Sequence, residues 1–185
     1  MKREPKNPEA SNRLRFFCHR CFMKFYHIKD DYIDYLRTYD SKVAYNKCGK
    51  RPYVGTVLEI YGVKYYAPFT SPKSKHQKMK NGKDFRKIQQ GKYGAINFNN
   101  MIPVVDSALD LIDIEHESDP KYKNLLQNQY AAIIRDEAGI KRTAITLHTL
   151  VMTEDSKLST FDQRIKARCC NLKLLESIYA AFNAK

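Results

Sequence analysis

Thr70-Ser71-Pro72-Lys73 ends a run of apolar and aromatic residues, and Lys75, His76, Lys78, Lys80 and Lys83 follow almost at once. Two hydroxyls at the mouth of a strand, set beside so many cations, fit one chemistry well: metal-free phosphoryl transfer on RNA. There the 2′-OH attacks its own phosphate, so the protein need not supply a nucleophile. It must align the reacting groups and stabilise charge on the equatorial oxygens. Hydroxyls, lysine and arginine suit that task because they donate short hydrogen bonds to an oxyanion. Lys50 and Arg51 stand directly before another apolar run, so a hairpin would bring them to the same sheet end. The same Thr-Ser-Pro triplet is also good turn chemistry. On the residues alone, both readings stay open.

Other chemistries find less support. Cys18-His19-Arg20-Cys21 resembles half of a zinc knuckle, but zinc takes four ligands and no second pair lies near. Gly91-Lys92-Tyr93-Gly94 has the GXXG spacing of KH domains without the helical flanks, so a turn is the better reading. No glycine-rich phosphate loop with a following Lys-Ser/Thr is present. A metal-dependent nuclease needs clustered carboxylates, and the basic segment offers only Glu59 and Asp84. No metal and no cofactor is therefore expected. His27, His76, His116 and His148 show no paired spacing, and His27 and His148 read as structural.

The elements that would position these residues follow from periodicity. Met23–Ile28 reads as a short strand, and Asp30 as the cap of a helix carrying Tyr32, Ile33, Tyr35, Leu36 and Tyr39. Residues 40–51 are polar and loop-like. Tyr53–Tyr61 and Val63–Phe69 are β-rich and meet at Gly62, which predicts a hairpin. Residues 72–92 read as a cationic connection, and Tyr93–Val105 and Leu109–Ile114 as further strands. From Ser118-Asp119-Pro120 onward the pattern turns helical. Leu125, Leu126, Tyr130, Ile133 and Ile134 form an apolar stripe that Gly139 should end. A second helix is expected over Thr143–Met152, a third after Ser159 or Thr160, and a last one after Asn171. Strands first and helices after predict an α+β fold, a curled antiparallel sheet packed by C-terminal helices.

Charge is distributed unevenly. Of the formal net +13, residues 41–92 carry +11, thirteen Lys/Arg against two acids, while residues 93–185 sum to −1. A solvated face mixes signs; a segment of one sign points to a polyanion, nucleic acid first. With 185 residues and 43% hydrophobic content, the chain can bury a core, and no apolar stretch reaches the ~20 residues of a membrane span. Five irregularly spaced cysteines argue against a disulfide framework and for a reducing cytoplasm.

Four stretches carry a family resemblance: KFYHIKDDYIDYLR, RPYVGTVLEIYGVKYYAPFTSPKSKH, NFNNMIPV and CNLKLLESIYAAF. Together they resemble the ToxN/AbiQ family, endoribonuclease toxins of RNA-neutralised toxin–antitoxin systems that serve in phage defence. The resemblance implies a MazF-like barrel elaborated by helices. It implies metal-independent cleavage of adenine-rich single-stranded RNA to 2′,3′-cyclic phosphate ends. The implied partners are a repeated antitoxin RNA pseudoknot, which the toxin processes and which inhibits it in a closed toxin–RNA assembly, and cellular and phage RNA. Carried onto this chain, the family's catalytic positions fall on Thr70, Ser71, Lys73 and Arg51, with Lys50 adjacent. Tyr45, Lys47, Tyr53, Lys75, His76, Lys78, Lys80, Lys83, Arg86 and Lys87 are the expected RNA contacts. The match begins at Met23, so residues 1–22 are expected to be an unstructured extension, or a start-site artefact, before one toxin domain over 23–185. Two rivals remain, an inert RNA-binding module and a MazF-type toxin neutralised by a protein.

Overall fold

The computed structural model describes residues 23–182, so the expected extension and its Cys18 and Cys21 lie outside the described residues. The chain opens with strand β1 (Lys24–Ile28) and helix α1 (Asp30–Tyr39). Asp30 does not cap that helix. It sits in the first turn, and its carboxylate is spent on the following loop instead.

The predicted hairpin forms from β2 (Tyr53–Ile60) and β3 (Val63–Thr70). Its two turn residues, Tyr61 and Gly62, both have positive φ, 49° and 81°. Such a two-residue turn matches the twist of the strands it joins, and glycine is what its second position requires. β3 is the hub of the sheet. It pairs β2 along one edge and, on the other, β6 (Ile102–Pro103) and β5 (Ala95–Asn97) in turn.

The sheet order is β4-β5-β3-β2-β1-β7, with β6 also on β3. β4 (Phe85–Lys87) and β7 (Leu109–Leu111) are its edges, three residues each, and they do not pair with one another. The barrel expected from the family is therefore an open, curled sheet here. The single strand expected over Tyr93–Val105 is likewise split, because Asp84's carbonyl accepts from both Phe98 and Asn99 and folds them into a 3-10 turn. The cationic connection also holds more structure than its composition predicts: a one-turn helix, α2 (Ser74–Lys78), and β4.

The helical half is α3 (Pro120–Arg135), α4 (Glu137–Met152), α5 (Thr160–Arg168) and α6 (Leu172–Ile178). Asp119, Ser159 and Asn171 cap α3, α5 and α6 through their side chains, as their positions predict. Gly139 does not end α3. It lies in the first turn of α4, where a β-carbon would fall 2.1 Å from the Arg86 guanidinium that is paired with Asp136. Close approach, not termination, is what that glycine provides.

Two contacts fix the helices to the sheet. α3 lies over Phe25, whose ring meets Tyr130 at 5.7 Å and Phe69 at 4.7 Å. Burying each such aromatic is worth ~1.5–3 kcal/mol. On the far side, Glu176 of α6 accepts from Tyr65 of β3 and meets His148 of α4 at 2.9 Å. His148 is thus tied into the packing, consistent with its structural reading.

Candidate active site

The 40–51 loop is the first wall of the site, and its shape is imposed by few groups. Lys47, Cys48 and Gly49 are all left-handed, with φ of 56°, 55° and 71°. For two residues with β-carbons that conformation is costly and persists only where the surroundings over-determine it. Here Asp30 Oδ1 accepts from the Gly49 N–H at 3.0 Å and the Asn46 amide at 2.8 Å, while Asn46 also donates to the Ile28 carbonyl. Arg51 closes the loop: its N–H donates to Asn46 O at 3.0 Å and its Nε to Tyr45 O at 2.7 Å.

The second wall is the end of β3, backed by the Gly91–Gly94 turn. Gly94, at φ +99°, lies so close to Thr70 that a β-carbon would stand 1.9 Å from its carbonyl oxygen. The third wall is one face of α3, with Tyr122, Leu125 and Gln129 at helical spacing, preceded by Glu117. Glu117 accepts from the Asp119 N–H at 3.0 Å, which ties it to the start of the helix.

Between these walls opens a cleft of about 580 Å³ with His27 and Phe69 among its lining residues. Lys47, Lys50, Arg51, Thr70, Ser71 and Lys73 all line it. Residues from two segments, twenty positions apart in sequence, thus meet in one cationic hollow. Lys47, Lys50 and Lys73 have no ion-pair partner among the described residues. The Thr70 hydroxyl and the Gln129 carbonyl oxygen are buried without a hydrogen-bond partner among the described residues. Such unspent capacity is uncommon in folded proteins, and here both atoms belong to residues that line the cleft. Gln129 is itself 2% exposed, and its Nε2 donates to Tyr93 O at 2.8 Å, pinning the turn behind Thr70. Burial, with Glu117 nearby, raises the Tyr122 phenol above its ordinary value, so it stays protonated at neutral pH.

The remaining expected contacts are placed elsewhere. Tyr53 is 1% exposed and belongs to the core, so its ring cannot present itself to a ligand. His76 is 3% exposed on the buried side of α2, against the Phe85 ring, and is corrected in the same way. Burial, then Lys75 and Lys73, lower its pKa. Lys83 pairs with Asp162 at 2.6 Å, and Arg86 is held by Asp136 in a two-pronged ion pair. Lys87 lines a separate, shallower depression with Arg135. Tyr45 is exposed beside the loop, with the Arg37 guanidinium 3.4 Å above its ring. Lys75, Lys78 and Lys80 are exposed on and just after α2.

His27, Cys48, Glu117, Tyr122 and Gln129 are cleft residues that the sequence reading did not select. Gln129 alone left a trace, as a polar residue inside the apolar stripe of α3. Among the described residues, no three His, Cys, Asp or Glu side chains gather as a metal site. Asp84 is buried and bound to Arg168 at 2.6 and 2.9 Å.

Comparison with known proteins shows the family to which this fold belongs. The family model of the toxin ToxN, of the type III toxin–antitoxin system, matches residues 24–180. Endoribonuclease ToxN of Pectobacterium atrosepticum is 32% identical over 170 residues, 86% of this chain and 94% of that protein. Endoribonuclease ToxN of Bacillus thuringiensis subsp. kurstaki is 34% identical over 157 residues, 83% and 80% of the two chains. Endoribonuclease AbiQ of Lactococcus lactis subsp. lactis is 32% identical over 179 residues, 90% and 92% of the two. A solved type III toxin, described as selectively inhibited by a non-coding RNA pseudoknot, superposes with a TM-score of 0.77 at 32% identity. It covers 88% of this chain and 99% of its own. Another, from an antiviral system regulated by a processed non-coding RNA, gives 0.72 at 31% identity, covering 88% of this chain and 100% of its own.

Open curled sheet, flanking helices and cationic cleft together define an α+β toxin of the type III toxin–antitoxin class. The chain belongs to the ToxN family.

Proposed function

We propose that the protein is a metal-independent endoribonuclease toxin that cleaves adenine-rich single-stranded RNA and leaves 2′,3′-cyclic phosphate ends. The observation that carries this reading is the meeting of Thr70, Ser71 and Lys73 with Lys47, Lys50 and Arg51 in one cleft. The cations draw the RNA backbone in and neutralise it. The Ser71 hydroxyl, fixed just past the end of β3, donates to a non-bridging oxygen as charge builds on it. Lys73 and the Arg51 guanidinium share that charge. Thr70, whose hydroxyl is unspent, is a second donor or a clamp on the scissile sugar. No step needs a nucleophile from the protein, because the RNA carries its own.

The same cleft accepts an antitoxin RNA as inhibitor and as a precursor to be processed, in a closed toxin–RNA assembly. The inhibition follows one solved relative, a type III toxin described as selectively inhibited by a non-coding RNA pseudoknot. Cellular and phage RNA are the targets, in the cytoplasm, as a defence against phage. No described helix is long and apolar enough to cross a membrane.

The test is incubation of the purified protein with adenine-rich RNA in EDTA, with the product ends identified. Cleavage that survives chelation and yields cyclic phosphate is expected, and Ser71→Ala should lose a factor of roughly 10² to 10³ in rate while still binding RNA. EDTA-sensitive cleavage would reject the mechanism, and full activity of Ser71→Ala would reject the assignment of that hydroxyl.

A further inference from the structure

The proposed reaction has a gap: something must take the proton of the attacking 2′-OH. Lysine and arginine are cationic near neutral pH and cannot, and Tyr122 holds its proton. Of the side chains lining the cleft, His27 and Glu117 can accept one, together with the Cys48 thiol if it ionises. We infer that His27 is the general base of this cleft, an inference that rests on the internal transesterification proposed above.

Three observations support His27. It is half-buried on β1, on the same face as Phe25, which is the face that α3 covers. Its Nδ1 lies 3.3 Å from the carbonyl oxygen of Arg51. A carbonyl can only accept, so the neutral ring carries its proton on Nδ1 and leaves Nε2 as the free acceptor. Arg51 thereby does two jobs, one with its backbone and one with its guanidinium. Finally, Asp110 is the partner of His27 across the β1–β7 ladder, so its carboxylate stands on the same face. An imidazolium formed during the reaction would have that carboxylate as its cross-strand neighbour.

The other charged groups lining the cleft are Lys47, Lys50 and Arg51 from the loop, Lys73 after β3 and Glu117 before α3, with the neutral Tyr122 phenol on the α3 wall. Glu117 is the weaker candidate for the base. One of its oxygens is already engaged by the Asp119 N–H, and carboxylates are poorer bases near neutrality.

In the step itself the 2′-oxygen forms a bond to phosphorus as its proton passes to His27 Nε2, and the bond from phosphorus to the 5′-oxygen breaks. The 5′-oxygen leaves with a proton drawn from water. The imidazolium returns its proton to the hydroxide so formed, leaving a cyclic phosphate, a 5′-hydroxyl and no net change in protons.

The experiment is single-turnover cleavage of an adenine-rich RNA by wild type, His27→Gln, His27→Ala and Glu117→Gln, across roughly pH 5 to 8, the window in which imidazoles titrate. Glutamine can still donate to the Arg51 carbonyl but cannot accept the proton as a base. Wild type should show a rate rising with pH on the acid side. His27→Gln should lose a factor of about 10² or more together with that rise, with RNA affinity retained. Added free imidazole should restore part of the rate to His27→Ala, which a packing role would not allow. A His27→Gln rate within about threefold of wild type, or an acid-side rise that persists there and vanishes in Glu117→Gln, would overturn the inference. So would loss of activity with no imidazole rescue and an unchanged pH profile. Wild-type products lacking a cyclic phosphate would instead overturn the underlying reaction.

Discussion

Gly94 and Thr70 touch backbone to backbone: the space a β-carbon of residue 94 would fill is only 1.9 Å from the Thr70 carbonyl oxygen. That contact sets where β3 ends and hence where Ser71 points. Gly94→Ala would also force a side chain onto a φ of +99°. The two penalties should cost about 1–3 kcal/mol or more. Displacement of the strand end should lower cleavage well beyond what the stability loss explains. Urea denaturation together with single-turnover cleavage at a temperature where the variant stays folded checks this. Wild-type rates in a destabilised Gly94→Ala would show that the turn does not set the geometry of Ser71.

Arg51 and Lys50 are adjacent cations with different duties. Arg51 spends its Nε on Tyr45 O and its backbone on Asn46 and His27, whereas the Lys50 ammonium has no partner among the described residues. Arg51→Lys keeps the charge but loses the donor that shapes the loop. A charge-assisted hydrogen bond of this kind is worth ~1.5–3 kcal/mol. The expected result is a cleavage rate about 10- to 100-fold lower in Arg51→Lys and nearly unchanged in Lys50→Arg. Equal tolerance at both positions would mean that charge alone matters here.

How much of this was legible beforehand depends on the kind of interaction. The hairpin, the caps at Asp119, Ser159 and Asn171, and the cleft pairing of Arg51 with Ser71 are local patterns or follow from one hairpin. The α3 wall is not local. That Tyr122 and Gln129 line one cleft with Ser71 follows from how a helix some fifty residues after Ser71 packs on Phe25, which no spacing within the sequence encodes. Gly139 misled for a related reason: a glycine near a helix end reads as a stop, but this one makes room for Arg86. His76 misled because the adjacent Lys75 is cationic and exposed while its own side chain turns inward, and Tyr53 because it follows Lys50 and Arg51 yet is buried at the start of β2. Charge along a chain does not reveal direction.

The same distinction sorts the lysines by their effect on RNA affinity. Lys47, Lys50 and Lys73 line the cleft without ion-pair partners, while Lys83 is already committed to Asp162. About five phosphate contacts to a single strand imply a log–log salt slope near ~−3.5. Measured on Ser71→Ala to prevent cleavage, replacing those three cleft lysines with alanine should flatten the slope by roughly 2. Lys83→Ala should leave it unchanged. A slope that responds equally to both changes would place the RNA over α2 and α5 rather than in the cleft.

His76 gives the fold a pH dependence whose sign can be worked out. The ring is buried and its Nδ1 has no hydrogen-bond partner among the described residues, so a second proton there would be both desolvated and unpaired. Burial first, then Lys75 and Lys73, hold its folded pKa below the ordinary 6.5. As pH falls through that ordinary value, the unfolded chain takes up a proton that the folded chain resists. The unfolded state then binds more protons, and stability declines until the lower, folded pKa is passed. Above the ordinary value the term vanishes. Wild type should therefore lose stability on going from neutral to mildly acidic pH, and His76→Gln, compared over the same range, should lose less. Urea midpoints across that range supply the measurement. An equal decline in both proteins would show that His76 is not the group responsible.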